Sequence, residues 1–215
     1  MQFRDRADAG RQLGLAVELY RDTRPVVVGL VRGGVVVAAE VARALDVPVY
    51  ATLVRKLGHP CYPELGLGAI AEDGVPVWNE PVLGQAPSTE SARYGILARE
   101  RAEMKRRLAC FTSGLLPDSL DGRTVLLVDD GLATGGSARA AVGFVRRRRP
   151  AKLVLTVPVG SPDAVHLLRD VVDDLITLVT PADFESVGRW YDSFEQCDDA
   201  GVFAALGHDH GLRSR

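Results

Sequence analysis

One segment limits what this chain can be more than any other: Val125 to Ser137, reading VLLVDDGLATGGS. The apolar run Val125-Leu126-Leu127-Val128 predicts a buried strand, and it ends in two adjacent carboxylates, Asp129 and Asp130. A turn of small residues follows, Ala133-Thr134-Gly135-Gly136-Ser137. Ala138, Ala141, Val142 and Val145 then recur at i, i+3, i+4 and i+7, the spacing of one helix face. A strand, a glycine-rich turn and a helix N-terminus together make an anion cradle, because the first amides of a helix have no partner within it and its dipole favours negative charge. Two acids just before such a cradle would repel a bare phosphate. They suit a sugar phosphate, whose hydroxyls donate to carboxylates while its phosphoryl group meets the amides.

This segment resembles the signature of the type I phosphoribosyltransferases, which bind phosphoribosyl pyrophosphate (PRPP). Asp129-Asp130, Thr134-Gly135 and Ser137 fall in register with it. Gly131 and Ala133 depart from its commonest forms, which carry a β-branched residue and a second Thr there. The resemblance implies that Asp129 and Asp130 hold the ribose hydroxyls. It implies that the bend formed by Gly131, Leu132, Ala133, Thr134, Gly135, Gly136 and Ser137 holds the 5′-phosphate.

The chain around this segment alternates apolar runs and helical patterns. Ala9, Leu13, Val17 and Tyr20 predict a first amphipathic helix, Val26 to Leu30 a buried strand, and Val37, Ala38, Val41, Ala42 and Leu45 a second helix face. Val49 to Val54 reads as another parallel strand, ending at Arg55-Lys56. Leu67 to Ala71 and Val75 to Trp78 predict a hairpin inside an irregular Gly- and Pro-rich stretch. A charged helix is expected from about Thr89 to Ala109 with Ser88 as its cap, and it offers a homodimer contact. Two further strands, Leu153 to Val159 and Leu175 to Val179, flank a helix opened by Ser161-Pro162-Asp163. This order predicts an α/β fold: a central parallel sheet with helices on both faces, a small hood and a flexible lid loop. A core of residues 1–180 would include the lid at about 57–88, and residues 181–215 would form a C-terminal hood segment and tail.

Ligands of such sheets bind at the carboxyl ends of the strands. Arg32-Gly33-Gly34 and Arg55-Lys56 are expected there beside the acid-tipped strand. By resemblance, Arg32, Gly33 and Gly34 form the pyrophosphate loop, and Arg55 and Lys56 are the basic pair preceding the lid, with pyrophosphate oxygens in reach. The stretch PADFESVGRWYDSF, from Pro181 to Phe194, is similar to the hood of purine-type members. There Trp190 or Tyr191 would stack on the base, or the aromatics would instead pack the hood onto the core, and Asp192 would be an acid near the metal, with a spacing that differs from those enzymes by about one residue. The family's chemistry implies Mg²⁺, which prefers oxygen ligands.

A phosphoribosyltransferase is therefore expected, passing the phosphoribosyl group from PRPP to a nitrogenous base, a purine by the hood resemblance, with release of pyrophosphate. The alternative is a PRPP-binding regulator without turnover. The formal charge of −2 gives no bulk attraction to nucleic acid, and the first core strand begins by Val26, before which no DNA-binding module is expected. The charged start MQFRDRADAGRQ does not read as a signal peptide, and no apolar run approaches a membrane span. Cys61, Cys110 and Cys197 are odd in number and form no CxxC pair, which fits reduced thiols and a cytoplasmic location. Arg146 to Arg149 reads as a basic helix end complementing the dipole. His208-Asp209-His210 reads as polar tail rather than a metal site.

Overall fold

The computed structural model describes residues 2–62, 65–85, 88–111 and 114–207. Five parallel strands form the main sheet in the order β2-β1-β6-β7-β8: β1 Val26–Leu30, β2 Val49–Thr52, β6 Thr124–Val128, β7 Lys152–Val159 and β8 Asp174–Val179. Val26, Val28, Val125, Leu127 and Leu155 point to one face and pack against α5 (Gly136–Arg146) and α6 (Pro162–Arg169). Val27, Leu126, Val128 and Val154 point to the other and pack against α1 (Arg6–Ala16) and α2 (Gly33–Leu45). A strand buried on both faces must be apolar at every position, which is why these segments read as continuous hydrophobic runs. From β1 the chain steps outward to β2, and from β6 it steps the other way to β7 and β8. The order reverses between β1 and β6, and that reversal opens a crevice between adjacent loops.

The expected strand Val49 to Val54 is two strands with a break between them. The ladder with β1 ends at Leu30–Thr52. The next amide, of Leu53, is donated to the Glu72 carboxylate at 3.0 Å. With that donor withdrawn the chain turns out of the main sheet, and β3 (Val54–Gly58) pairs antiparallel with β4 (Gly66–Ala71), which pairs with β5 (Pro76–Trp78). The hairpin expected from the sequence is present. Among its described residues, the segment at 57–88 supplies β4 and β5 to a second, three-stranded sheet and forms α3 (Glu80–Gln85).

That sheet has its own core. Leu53, Leu57, Leu67 and Ile70 pack against Ile96, Leu97 and Met104 of α4 (Glu90–Leu108). The cap of α4 is Thr89, whose hydroxyl accepts from the Ala92 amide, while the buried Ser88 hydroxyl has no partner, so the cap lies one residue later than expected. The opposite face of the small sheet rests on α5, and the Arg147–Asp73 ion pair at 2.6 Å ties the end of α5 to the turn between β4 and β5. The basic run at the end of α5 is consumed inside the molecule. Arg146 meets Asp173 and Arg149 meets Asp121, both at 2.9 Å, and Arg148 lies 3.8 Å over the Phe144 ring.

The C-terminal segment crosses the carboxyl ends of the strands. A 3-10 turn at Val187–Trp190 packs by Gly131, Tyr191 is buried beneath it, and α7 (Asp199–Ala205) buries Val202 with Val35 of α2 and Ala51 of β2. His208-Asp209-His210 lie outside the described residues.

Candidate active site

The two turns at the reversal of strand order face each other. Asp129 and Asp130 stand at the end of β6, and Arg32-Gly33-Gly34 lead from β1 into α2 across a cis peptide bond between Val31 and Arg32. The approach is close enough to demand glycine. A methyl group on Gly33 would fall 2.0 Å from Asp130 Oδ2, and one on Gly34 would fall 2.9 Å from the Asp129 Cα and Oδ1. The glycines therefore let the start of α2 lie directly against the acid pair. Asp129 Oδ1 accepts from the Asp130 amide at 2.9 Å. Burial, and then the charge of Asp130, push the Asp129 carboxyl well above the ordinary aspartate range.

After the acids the bend divides into an anchored part and an open part. The Leu132 amide is donated to Val159 O at 2.9 Å, and Leu132 O accepts from the Ser161 amide at 2.8 Å. Ser161 Oγ donates to Ala133 O at 2.6 Å. Leu132 is therefore a buried anchor on β7 and its amide is spent, which corrects the expectation that it meets a phosphate. Beyond it, Gly135 at φ 73° lies in the left-handed region and turns the chain into α5. The first helical bond of α5 runs from the Arg139 amide to Gly135 O at 2.8 Å, so the amides of Gly136, Ser137 and Ala138 precede it.

Capping separates α2 and α5 from α1, α4, α6 and α7. Asp5, Thr89, Ser161 and Asp198 each cap a helix through their side chains, at α1, α4, α6 and α7. Neither α2 nor α5 has a side-chain cap. Their amides and dipoles are thus left for other acceptors at the very edge where the acids stand.

Lys56 joins the α5 end of the site. With Thr134, Gly136 and Ser137 it lines a cleft of about 100 Å³ closed on its far side by Gly68, Trp78 and other residues of the small sheet. Arg55 does not. Its guanidinium donates twice to Glu100 Oε2, at 2.6 and 3.0 Å, and holds β3 onto α4. Successive side chains of a strand point to opposite faces, so the two bases cannot serve one anion, and the expectation of a basic pair is corrected.

The hood residues are placed differently again. Tyr191 is 4% exposed, packs against Phe3 and Phe194, and donates its hydroxyl to Asp130 O at 2.6 Å. Burial, followed by the charge of Asp130, raises its phenol above the usual range. It is a buried prop for the acid turn, with no ring face left for a base. Trp190 is half-buried beside Gln2, Asp183 and Arg189, in a pocket that none of residues 32–34 or 129–137 lines, and its carbonyl accepts from the Phe3 amide. Asp192 is exposed and its amide is donated to Phe3 O. Among the described residues no group of three or more acidic, His or Cys side chains gathers to hold a metal, so Asp192 does not join Asp129 and Asp130 in one.

One participant has no signal in the sequence. Arg6, in the first turn of α1, donates Nε to Asp130 Oδ2 at 2.7 Å and Nη1 to Glu195 O at 2.7 Å. Its place in a charged, helix-opening stretch marks it as solvated surface, and only the packing of α1 on the sheet brings it to a partner 124 positions away.

Comparison with known proteins gives a consistent result. A family model described as the phosphoribosyl transferase domain matches residues 11–188. A Mycobacterium tuberculosis protein named "Putative phosphoribosyl transferase Rv0571c" is 42% identical over 208 residues, covering 97% of this chain and 47% of that protein. The chain thus spans about half the length of the curated relatives it matches. A uracil phosphoribosyltransferase of Kineococcus radiotolerans is 31% identical over 94 residues, which cover 43% of this chain and 44% of the relative. Among solved structures, TT1426 from Thermus thermophilus superposes with a TM-score of 0.79 at 40% identity, covering 96% of this chain and 98% of that one. No helix among the described residues is long and apolar enough to cross a membrane.

Proposed function

The chain belongs to the phosphoribosyl transferase domain family, and from that membership we propose that it transfers the phosphoribosyl group of PRPP to a nitrogenous base and releases pyrophosphate. The observation that carries this reading is the pair of uncapped helix N-termini, α2 and α5, flanking two carboxylates where the strand order reverses. Two anion sites separated by a hydroxyl acceptor match the order of groups in PRPP: phosphate, ribose, pyrophosphate.

In this reading the amides of Gly136, Ser137 and Ala138 and the hydroxyls of Thr134 and Ser137 take the 5′-phosphate, with Lys56 on the opposite wall of the cleft. Asp129 and Asp130 accept from the ribose hydroxyls. Arg32 and the start of α2 take the pyrophosphate, whose negative charge grows as the anomeric bond breaks. Fixed donors aimed at that charge lower the barrier without having to reorganise. The small sheet walls the phosphate end from water.

The acid pair fits Mg²⁺. Asp129 and Asp130 are hard oxygen donors side by side; burial first and the charge of Asp130 second raise the Asp129 carboxyl, and a divalent cation would offset both by favouring the ionised form. When bound, the ion would neutralise charge on the sugar and pyrophosphate oxygens. The acceptor is a nitrogenous base taken from the purines and pyrimidines. The hood argument for a purine loses Tyr191 to the core, so the choice between the two classes rests on assay.

The test is PRPP- and Mg²⁺-dependent release of pyrophosphate over a panel of purine and pyrimidine bases. Release that requires one base and yields its nucleoside 5′-phosphate supports the reading. PRPP binding without release over the whole panel would point to a PRPP-binding regulator.

A further inference from the structure

The guanidinium of Arg6 is held from three sides. Asp130 Oδ2 and Glu195 O accept from it, and the Phe194 ring lies 3.9 Å from its central carbon. Its side chain is 13% exposed, so this fixed positive charge is largely withdrawn from water. With Arg32, Gly33, Phe194, Gln196 and Cys197 it lines a pocket of about 320 Å³ whose lining carries two guanidiniums and no carboxylate. Gly33 is the first residue of α2, so the uncapped start of that helix opens on the same pocket.

The geometry limits what Arg6 can do once the site fills. Ribose hydroxyls or a cation at the acid pair compete with Arg6 for Asp130. Phe194 and Glu195 O would still hold the guanidinium in place, but its counter-charge would be shared away. A desolvated cation that loses its partner is costly, and the nearest anion satisfies it. On the phosphoribosyl transfer reading, that anion is the pyrophosphate arriving at α2. We infer that Arg6 is a pyrophosphate-binding residue, pairing with Asp130 in the free protein and with the pyrophosphate when substrate fills the pocket it shares with Arg32. The inference rests on the transferase reading, and it adds a cation from α1 to a subsite for which the sequence offered Arg32, Gly33 and Gly34, with Arg55 and Lys56 in reach.

Calorimetric titration of inorganic pyrophosphate and, separately, ribose 5-phosphate, both with Mg²⁺, tests it in the wild-type chain and in Arg6→Gln. Loss of one charge-assisted contact is expected to weaken pyrophosphate about tenfold or more while ribose 5-phosphate changes by less than about twofold. Unchanged pyrophosphate affinity overturns the inference. Equal loss of both ligands also overturns it, because Arg6 would then act only by positioning Asp130. Should Arg6→Gln fail to fold, the side-chain Nε–H resonance of Arg6 in the wild-type chain decides: movement on adding pyrophosphate supports the inference, and a stationary signal refutes it. Wild-type protein that binds neither ligand removes the transferase reading itself, an outcome distinct from a failure of Arg6 alone.

Discussion

Arg55 and Lys56 are neighbours in sequence that work on opposite faces of β3: Arg55 is bound to Glu100 of α4, and Lys56 lines the cleft at the N-terminus of α5. Their substitutions should separate cleanly. Arg55→Met leaves a carboxylate that is 9% exposed with Arg99 alone, and Arg55 itself is 27% exposed, so the remaining partner and solvent temper the loss to about 1–3 kcal/mol. A lower urea midpoint with an unchanged KM for PRPP is expected. Lys56→Ala should raise the KM for PRPP by about tenfold with little change in the midpoint.

Asp129 should cost the fold stability at neutral pH. Its carboxyl keeps its proton to higher pH in the folded chain than in the unfolded one, chiefly because it is buried and secondly because Asp130 is beside it. The folded state thus binds more protons between the ordinary aspartate value and the raised one. Stability falls as pH rises through that window, and the full cost stands above it. Asp129→Asn removes that cost and keeps an oxygen for the Asp130 amide. Thermal scans at neutral pH should show a higher Tm than wild type, with the difference shrinking as pH falls toward the ordinary aspartate value. Transfer activity should drop by roughly 10²-fold.

Gly34→Ala places a methyl group 2.9 Å from the Asp129 backbone and from its Oδ1. Neither α2 nor β6 can yield without moving the acid pair. A loss of about 1–3 kcal/mol in denaturant unfolding is expected, accompanied by weaker PRPP binding in calorimetry. Gly84→Ala makes the control, because nothing lies within 4 Å of the added methyl.

The parallel core was legible because each strand is buried on both faces and must be apolar throughout; the runs at Val26, Val125 and Leu153 leave no other reading. The tight bend before α5 was legible because Gly135 and its small neighbours mark a turn into a helix without a side-chain cap. What sequence could not show depends on contacts between distant segments. The break at Leu53 is made by Glu72, a carboxylate in the turn after β4, and it divides the expected parallel strand, leaving β2 in the main sheet and sending β3 to the edge of a second one. Tyr191 looked available for stacking because an aromatic beside Trp190 carries no mark of burial, yet Phe3 and Phe194 enclose it. Arg6 was hidden for the opposite reason: it reads as surface charge until α1 docks beside Asp130.

The Leu53–Glu72 contact gives a test of that second sheet. Glu72→Ala leaves the amide of the buried Leu53 unpaired and should cost about 1–3 kcal/mol. Glu72→Gln keeps an acceptor and removes the charge. Burial raises the Glu72 carboxyl above its ordinary range, so its charged form burdens the fold increasingly as pH rises through that raised value. Glu72→Gln should therefore be at least as stable as wild type at neutral pH, measured by urea midpoint.

Calorimetric titration of PRPP with Mg²⁺ reaches the central claim most directly, comparing the wild-type chain with the double variant Asp129→Asn, Asp130→Asn. One PRPP per chain in the wild type, and none detectable in the variant while it remains folded, is the result expected. No PRPP binding by the wild type at millimolar concentration, or equal binding by both proteins, would contradict it.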